Sequence, residues 1–503
     1  MSLVSNAFLL FTAAALIVYY AVPGKLQWLV LLFFSYGYYV AGGWKYLIFI
    51  LFSTAVTYLV GRKIAQLHTG GNQKAAKKVL ILGLLLNFGM LGIVKYTNFA
   101  VENINALFHL NLRGMSLLLP LGISFYTFQS SGYLLDVYWK RCQAESNPFK
   151  YALFVSFFPQ ILQGPIGRFG RLADQLYAPH AFEGKRIVRG MERILWGFFK
   201  KMLLADWAAV FVDVIFANPE EYSGLAIFGM LLYTLQLYAD FSGGMDVVIG
   251  IASMFGITLD ENFRQPFFAV SITDFWHRWH ITLGTWMKDY VFYPISLSKW
   301  MGRIGKWGKK VFGRKVGRTI PMCIANILVF FIVGVWHGAA WKFIVYGLYN
   351  GIIIAFSSLM GDQYKKWKKA LHITGRESWY HVLCILRTFL LVNISMFFDR
   401  ADTVGQAFAM MGYSVTRFAP SQLLTIGAGR DGTAFTPYAL LILAVGCVIV
   451  FVVSVLKERG MQMRETIAAL PLPVTVLIYL GLLLSIGFFG STAAARGFIY
   501  AQF

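Results

Sequence analysis

Residues 327–348 read ILVFFIVGVWHGAAWKFIVYGL, and this stretch decides the class of fold. Apart from His337 and Lys342, it contains no side chain that carries a charge near neutral pH. A helix needs about 20 mostly apolar residues to cross the hydrocarbon core of a bilayer. The stretch therefore predicts the end of one membrane span, near 320–340, and the start of the next, near 341–360.

The remainder of the chain has the same apolar character. Of its 503 residues, 58% are hydrophobic and 17% aromatic, while only 14% are charged. Soluble domains carry about 25% charged residues, so the composition excludes an ordinary soluble enzyme, a disordered chain and a fibrous one. We predict an all-α polytopic integral membrane protein, formed as a single domain over residues 1–503.

About eleven to twelve transmembrane helices are predicted from apolar runs of sufficient length. The first run lacks a basic leader and a small-residue cleavage site, so we expect it to be a retained helix and not a signal peptide. The candidate spans lie near 6–22, 27–41, 44–61, 79–95, 116–137, 190–216, 224–256, 320–340, 341–360, 381–399, 436–456 and 471–490.

The net charge of +22 is distributed as it is in membrane proteins. Most Lys and Arg residues lie between apolar runs, which indicates the positive-inside pattern and no nucleic-acid partner. The segment 399–435 has balanced charge, so we expect it outside the cytoplasm, with Asp399 among its charges. The segments that hold most of the basic residues are 62–78, 168–201, 299–318, 362–376 and 457–464.

Two apolar stretches do not fit simple spans. Residues 151–170 are interrupted by Pro159, Gly164, Pro165 and Gly167, which predicts a re-entrant element that lines a cavity, because non-helical backbone at membrane depth must be satisfied by protein or water. Residues 271–298 place aromatic side chains at helical spacing, which predicts one amphipathic helix at the interface or beneath the spans.

His337 is the one histidine inside a long apolar run. An ionisable side chain at membrane depth costs free energy, so it indicates a functional site. The structural alternative is a histidine that bonds to neighbouring helices, with Gly334 and Gly338 forming a G-x-x-x-G packing face. The residues alone leave both interpretations open.

His277 and His280 lie three residues apart in the predicted amphipathic helix. His280 borders the aromatic stripe and His277 lies on the polar side, so His280 is the candidate for the protein interior. Two histidines one turn apart can share a metal ion, but no carboxylate or cysteine completes a ligand set at a recognisable spacing, so no metal site is predicted. The four cysteines have no metal or redox spacing either.

Carboxylates also occur in the apolar part of the chain. Asp240 and Asp246 flank the sequence FSGG, and Glu261 and Asn262 precede Phe263. Carboxylates at membrane depth can move protons, but we expect these residues to cap a helix or to form ion pairs near a helix end.

Several motifs together resemble the membrane-bound O-acyltransferases, in particular the bacterial alginate O-acetylation branch. They are VWHGAAW at 335–341 and FWHRWHITLG at 275–284, with the surrounding 238–294 and with 119–138 and 151–169 extending the match. The resemblance implies a ring of helices around a central tunnel. His337 matches the family's active-site histidine and His280 its second histidine.

The resemblance also implies a reaction in which a cytoplasmic thioester meets an acceptor from outside. The donor would be acetyl-CoA or an acyl-carrier thioester, with no permanently bound cofactor, and the acceptor a polysaccharide. His337 would act as the base, and His280 would donate a hydrogen bond to the developing oxyanion. We expect the tunnel to be lined by Trp276, Trp279, Trp286, Trp336, Asp289 and Pro165.

The chain ends FIYAQF, residues 498–503, which resembles the terminal motif of the small partner peptide of bacterial D-alanylation systems. That resemblance implies that Tyr500 accepts the acyl group and passes it to an extracytoplasmic SGNH-type acetyltransferase or esterase-like partner. Without the resemblance, an interfacial anchor of aromatic residues would be the simpler interpretation. The implied location is the bacterial inner membrane.

Two other functions suit a polytopic chain. A transporter or flippase for a glycan or lipid-linked precursor would fit the many spans, but the paired, interrupted halves typical of transporters are not found. A scaffold for a polysaccharide synthase would leave His337 unexplained. An O-acyltransferase, most simply an O-acetyltransferase, is the function that the sequence predicts.

Overall fold

The structure is a computed structural model that describes residues 3–424, 426, 437–490 and 497–499. Over these residues the chain is helical, and the only β-type pairing is an isolated antiparallel bridge between Phe263 and Trp279. The α-helices of the described residues are α1 Asn6–Ala21, α2 Gln27–Gly42, α3 Leu47–Thr69, α4 Gln73–Phe108, α5 Ile123–Tyr138, α6 Pro148–Ser156, α7 Phe169–Tyr177, α8 Gly184–Phe199, α9 Asp206–Ala217, α10 Ala226–Met254, α11 Ile272–Arg278, α12 Ile281–Met287, α13 Tyr293–Ser296, α14 Lys299–His337, α15 Trp341–Leu359, α16 Gly361–Ala370, α17 Ser378–Arg400, α18 Val404–Thr416, α19 Pro437–Glu458, α20 Met463–Ala468 and α21 Leu472–Phe489.

Eight helices within the described residues are long and apolar enough to cross a membrane. The prediction of an all-α polytopic membrane protein is therefore confirmed. The number is lower than the predicted eleven to twelve because α1, α2 and α5 have only 16 residues each, and because the predicted span 190–216 is divided into α8, a π-helical segment Lys200–Ala205 and α9. The eight helices are Trp44–Thr69, Gln73–Phe108, Ser223–Met254, Lys299–His337, Trp341–Leu359, Ser378–Arg400, Pro437–Glu458 and Leu472–Phe489.

The chain divides into two compact units. The first comprises Met1–Lys201, Asp240–Asp260 and Pro471–Phe503, and the second comprises Met202–Ala239 and Glu261–Leu470. Each unit is built from segments that are separated in the sequence, and the prediction of a single domain stays a prediction.

Polar side chains hold α3, α4 and α5 together in the first unit. Asn87 of α4 is fully buried, and its Oδ1 atom accepts a hydrogen bond from Ser53 Oγ at 2.7 Å. Its amide nitrogen donates to Ser130 Oγ and Ser131 Oγ at 3.0 and 2.9 Å. Such hydrogen bonds stabilise helix association where apolar burial against lipid gives little driving force.

The first unit also contains the predicted break near 151–170. Helix α6 ends at Ser156, and no helix resumes until Phe169. Residues 157–166 are buried although they are not helical, as predicted. Whether this segment lines a cavity stays a prediction.

Glycines allow α14 and α15 to pack with their backbones in contact in the second unit. A Cβ atom at Gly334 would lie 2.4 Å from the carbonyl oxygen of Phe343, and one at Gly347 would lie 2.2 Å from that of Phe330. Side chains at either position would force the helices apart. The predicted small-residue packing face at Gly334 is thus present, and it sets the position of the end of α14.

The predicted amphipathic helix over 271–298 is wrong as one continuous helix. It is divided into α11, α12, a π-helical segment Lys288–Phe292, and α13. The first break falls at His280, whose backbone is left-handed (φ 47°, ψ 53°). Left-handed backbone costs roughly 1–2 kcal/mol for a residue with a Cβ atom, so the helical period cannot continue through it.

Candidate active site

His337 is the last residue of α14 and has only 4% of its surface exposed. Aromatic rings surround its imidazole: the ring centroids of Trp336, Tyr346 and Phe343 lie 5.1, 5.2 and 6.3 Å away. Tyr346 and Phe343 belong to α15, which the glycine contacts bring against α14. The imidazole is therefore held in a largely apolar environment where an added charge needs a specific partner.

That partner is Asp399, near the end of α17. Its Oδ1 atom lies 3.9 Å from Nδ1 of His337, and both side chains are buried, with 3% and 4% exposed. Its other oxygen, Oδ2, accepts a hydrogen bond from the hydroxyl of Tyr233 at 2.5 Å. A carboxylate on the Nδ1 side orients an imidazole and stabilises the imidazolium that forms when Nε2 takes a proton.

Lys342 fixes the end of the helix that carries Asp399. Its ammonium group donates hydrogen bonds to the main-chain carbonyls of Asp399 and Ala401 at 3.2 and 2.7 Å. These carbonyls lack helical donors at the end of a helix, and a cation there also interacts favourably with the helix dipole. The position of the Asp399 backbone is thus tied to α15, the helix that also packs on His337.

Asp399 lies within a helix, and the extracytoplasmic location of the segment 399–435 stays a prediction. The residue is the penultimate one of α17, and only 5% of its surface is exposed. The neighbouring Arg400 pairs instead with Asp213 at 2.9 Å. The balanced charge of this segment therefore did not predict that one of its acids, Asp399, is buried.

His280 lies between α11 and α12 and is 2% exposed, whereas His277 is exposed. This confirms which of the two histidines faces the interior, although the reason is a chain break and not a helical face. Three hydrogen bonds converge on Oδ1 of Asn262: from the backbone N–H of Thr282 at 2.9 Å, from its hydroxyl at 2.9 Å, and from Nδ1 of His280 at 3.3 Å.

These bonds define the tautomer of His280. The backbone N–H of Thr282 can bond only to an acceptor, so the atom of Asn262 that faces it is oxygen. The same oxygen requires a proton on Nδ1 of His280, which leaves Nε2 with a lone pair. Burial, together with the charge that His337 carries when protonated, lowers the pKa of His280 to about 3. The imidazole is therefore neutral at physiological pH.

The oxyanion-donor role expected of His280 does not agree with this arrangement. An oxyanion needs an N–H donor, but the proton of the neutral ring lies on Nδ1, toward Asn262. Nε2 can instead accept a hydrogen bond. A place for His280 among the catalytic residues remains a prediction.

Trp336 lies between the two histidines. Its ring centroid is 5.6 Å from that of His280 and 5.1 Å from that of His337. The two imidazoles, predicted from separate motifs, therefore share one neighbourhood. Among the described residues, no group of three His, Cys, Asp or Glu side chains is arranged to hold a metal ion.

The other predicted tunnel residues have different surroundings. Trp276 donates a hydrogen bond from Nε1 to Asn350 Oδ1 at 3.2 Å. Trp279 stacks on Phe275 with a centroid separation of 5.5 Å, and buried Trp286 packs against Tyr290 at 5.0 Å. These contacts fix the three indole rings within the second unit, and their exposure to a tunnel stays a prediction.

Three predicted site residues are not joined to the two histidines by these contacts. Asp289 is partly exposed and belongs to the π-helical segment, while Pro165 is buried in the non-helical stretch of the first unit. Tyr500 lies outside the described residues. Its role as an acyl acceptor therefore stays a prediction from the sequence.

Sequence reasoning singled out Asn262 but not its contact with a histidine, and it missed Tyr233. Tyr233 lies in a long apolar helix where a tyrosine is commonplace. For Asp399 a signal exists, because an acid directly after the apolar run ISMFF is expensive at membrane depth unless it has a partner.

A buried imidazole beside a carboxylate, in a polytopic helical protein, is an arrangement that can accept a proton at membrane depth. Residues 143–305 match the model of the MBOAT, membrane-bound O-acyltransferase, family. The match with curated relatives extends over most of the chain. This protein belongs to the membrane-bound O-acyltransferase family and is a multi-pass membrane acyltransferase that transfers groups other than aminoacyl groups.

Its relatives act on different polymers. The chain is 36% identical over 417 residues to a probable alginate O-acetylase of Azotobacter vinelandii, covering 81% of this chain and 76% of the relative. It is 34% identical to a peptidoglycan O-acetyltransferase of Helicobacter pylori, over 76% of this chain and 72% of the relative. A teichoic acid D-alanyltransferase of Bacillus subtilis is 30% identical, over 54% and 66%.

Proposed function

We propose that this protein is an O-acetyltransferase of the bacterial inner membrane. It takes an acyl group from a cytoplasmic thioester, acetyl-CoA, and passes it toward hydroxyl groups of an extracytoplasmic polysaccharide. The single observation that carries the proposal is the buried imidazole of His337 with its Nδ1 atom facing Asp399 at 3.9 Å. The names of the alginate and peptidoglycan relatives support acetyl as the group and a polysaccharide as the acceptor.

One proton moves in the reaction, first to His337 and then to the leaving thiolate. An acceptor hydroxyl gives its proton to Nε2 of His337 while its oxygen attacks the thioester carbonyl carbon. The C–S bond then breaks, coenzyme A leaves as a thiolate, and an ester remains on the acceptor. The thiolate can later take the proton from His337, which returns the imidazole to its neutral form.

Asp399 is a positioning residue in this reaction. Its Oδ1 atom lies 3.9 Å from Nδ1, too far for a direct hydrogen bond, and its negative charge stabilises the positive charge that develops on the ring when Nε2 takes the proton. The hydroxyl of Tyr233 holds the carboxylate in turn. His280 is neutral, and its Nε2 atom accepts a hydrogen bond from an amide N–H in the pantetheine arm of the donor.

Tyr500 is the proposed first acceptor. A phenol has a pKa near 10 and a thiol near 8.5, so transfer from a thioester to a phenol ester roughly preserves the reactivity of the acyl group. Full proton transfer from phenol to imidazole is uphill by about 3.5 pKa units, near 5 kcal/mol, so the proton must move together with the acyl group. A partner of SGNH type would complete the transfer to the glycan.

Proteoliposomes loaded with labelled acetyl-CoA test the proposal. We expect the label to leave coenzyme A and to appear on Tyr500, and to reach alginate or peptidoglycan when the partner is present. His337→Ala should abolish both steps, and Tyr500→Phe, which keeps the base but lacks the acceptor hydroxyl, should abolish labelling of residue 500 and transfer to the glycan through the partner. Full glycan acetylation by Tyr500→Phe would remove the relay and leave the acyltransferase activity. Movement of glycan without any donor would favour transport instead.

A further inference from the structure

A buried ion pair in the first unit has no part in the proposed chemistry. Nζ of Lys201 lies 2.6 Å from Oδ1 of Asp240, and the two side chains are 2% and 1% exposed. The pair follows from helix packing, because a Cβ atom at Gly197 of α8 would lie 2.6 Å from the carbonyl oxygen of Gly243 in α10. Asp240 thus forms the expected ion pair, but within a helix and not near its end.

The pair binds a segment that is distant in the sequence. The backbone N–H of Ile499 donates to Oδ2 of Asp240 at 2.8 Å. Nζ of Lys201 donates to the carbonyl oxygen of Gly497 at 3.4 Å and lies 5.0 Å from the ring centroid of Phe498, a cation–π contact. Phe498 itself is 1% exposed. Three consecutive residues are therefore held by two charged side chains.

We propose that Lys201 and Asp240 form a peptide-docking site that holds residues 497–499, through the main chain of Gly497 and Ile499 and the ring of Phe498. One oxygen of Asp240 neutralises Lys201, and the other is satisfied by the N–H of Ile499. A buried carboxylate oxygen is costly without a donor, so the segment completes the site. The ligand class is a peptide with a phenylalanine beside a small residue, because two contacts are to main-chain atoms and the third is to an aromatic ring.

The neighbouring ion pairs differ in this respect. Asp246 accepts from Arg193 Nε at 2.8 Å and from Lys200 at 2.7 Å, and Lys200 also donates to Ser242 Oγ at 2.9 Å. These partners all come from α8, the π-helical segment Lys200–Ala205 that follows it, and α10. Asp246 therefore provides stability within the helix pair, whereas Asp240 reaches a separate segment.

The docking site adds to the proposed function, and its link to catalysis rests on the proposed role of Tyr500 as acyl acceptor. Tyr500 follows Ile499 directly in the sequence, so fixing the Ile499 amide restrains the residue proposed to accept the acyl group. Docking reduces the conformational freedom that the segment would otherwise lose on reaching its reactive position.

Hydrogen exchange of the full chain in nanodiscs tests the docking site. The double variant D240L/K201M removes both charges together, which avoids leaving one buried charge unpaired and so preserves the fold. We expect the Ile499 amide to exchange at least about tenfold faster in this variant, relative to the amides of α10. Ser242→Ala, which removes a hydrogen bond of Lys200 and leaves the Lys201–Asp240 pair intact, should change this exchange less than twofold.

Unchanged exchange at Ile499, or a rise no larger than that in α10, would overturn the docking site, because apolar packing of Phe498 would then hold the segment alone. Acyl labelling of Tyr500 in the same variants separates the two proposals. If Tyr500 is unlabelled even in the parent chain, the relay fails, and the exchange rates still decide whether Lys201 and Asp240 bind the segment.

Discussion

The surroundings of the two buried histidines differ in the chemical group that faces the Nδ1 atom of each ring. His337 has a carboxylate oxygen of Asp399 on its Nδ1 side, whereas His280 has an amide oxygen of Asn262 there. A carboxylate stabilises a positively charged ring, but an amide oxygen orients a ring without neutralising its charge. The comparison teaches that two imidazoles in one apolar site can be assigned different tasks: His337 takes the proton, and His280 stays neutral.

The backbone around each histidine differs as well. His337 ends the part of α14 that follows a kink at Gly313, and glycine contacts hold this part against α15. His280 adopts a left-handed conformation between two seven-residue helices. Strained backbone of this kind persists only when its surroundings hold it, here through the hydrogen bonds to Asn262. The proton acceptor is positioned by helix packing and the neutral ring by a polar turn.

The largest expected effect is that of His337→Ala. Loss of the general base should reduce the steady-state rate of acyl transfer by about 10³-fold, within the range that general acid–base catalysis contributes. The rate is measured as release of free coenzyme A thiol in proteoliposomes. His381→Ala, at a histidine outside the site, is the control. A variant at 337 that keeps more than a tenth of the parent rate would contradict the assignment.

A smaller loss is expected when the carboxylate is removed. Asp399→Asn keeps the shape of the side chain but not its charge, and we expect kcat to fall by about 10–100-fold with KM for the donor unchanged. Asp402→Asn, at an exposed acid three residues further on, should leave both constants as they are. An increase in KM without a change in kcat would mean that Asp399 serves donor binding and not the histidine.

For His280 the expected change lies in binding. His280→Gln keeps an acceptor group in place, so KM for the donor should rise by about tenfold or less while kcat changes little. Because the pKa of His280 is about 3, its replacement should not alter the shape of the rate profile between pH 5 and 8. His277→Gln supplies the control. If the low-pH side of the rate profile is lost or shifted in His280→Gln, His280 titrates in the reaction.

Tyr233→Phe should have the smallest effect. The carboxylate of Asp399 loses the hydroxyl that holds Oδ2 but keeps its charge beside His337, so we expect kcat to fall only about threefold. Tyr349→Phe, which removes a hydroxyl bonded to the carbonyl of Leu391, is the matched control. An effect as large as that of Asp399→Asn would mean that the tyrosine itself contacts a reacting group.

The sequence predicted what depends on hydrophobicity and regular helix. The class of fold, the burial of His337 and the close packing at Gly334 all follow from apolar runs and small residues. It did not predict the number of long spans, because several apolar runs form helices of 16 residues, nor the break at His280, which depends on hydrogen bonds to a residue eighteen positions earlier. Asp399 was missed because its charge resembled that of a loop.

A single-turnover experiment with labelled acetyl-CoA tests the division of tasks between the two histidines most directly, since it separates donor binding from transfer. We predict that His337→Gln binds the donor with the affinity of the parent chain and transfers no label, whereas His280→Gln binds more weakly and transfers normally at saturation. Rapid transfer by His337→Gln, together with a donor-saturated His280→Gln that transfers nothing, would contradict the assignment of His337 as the base.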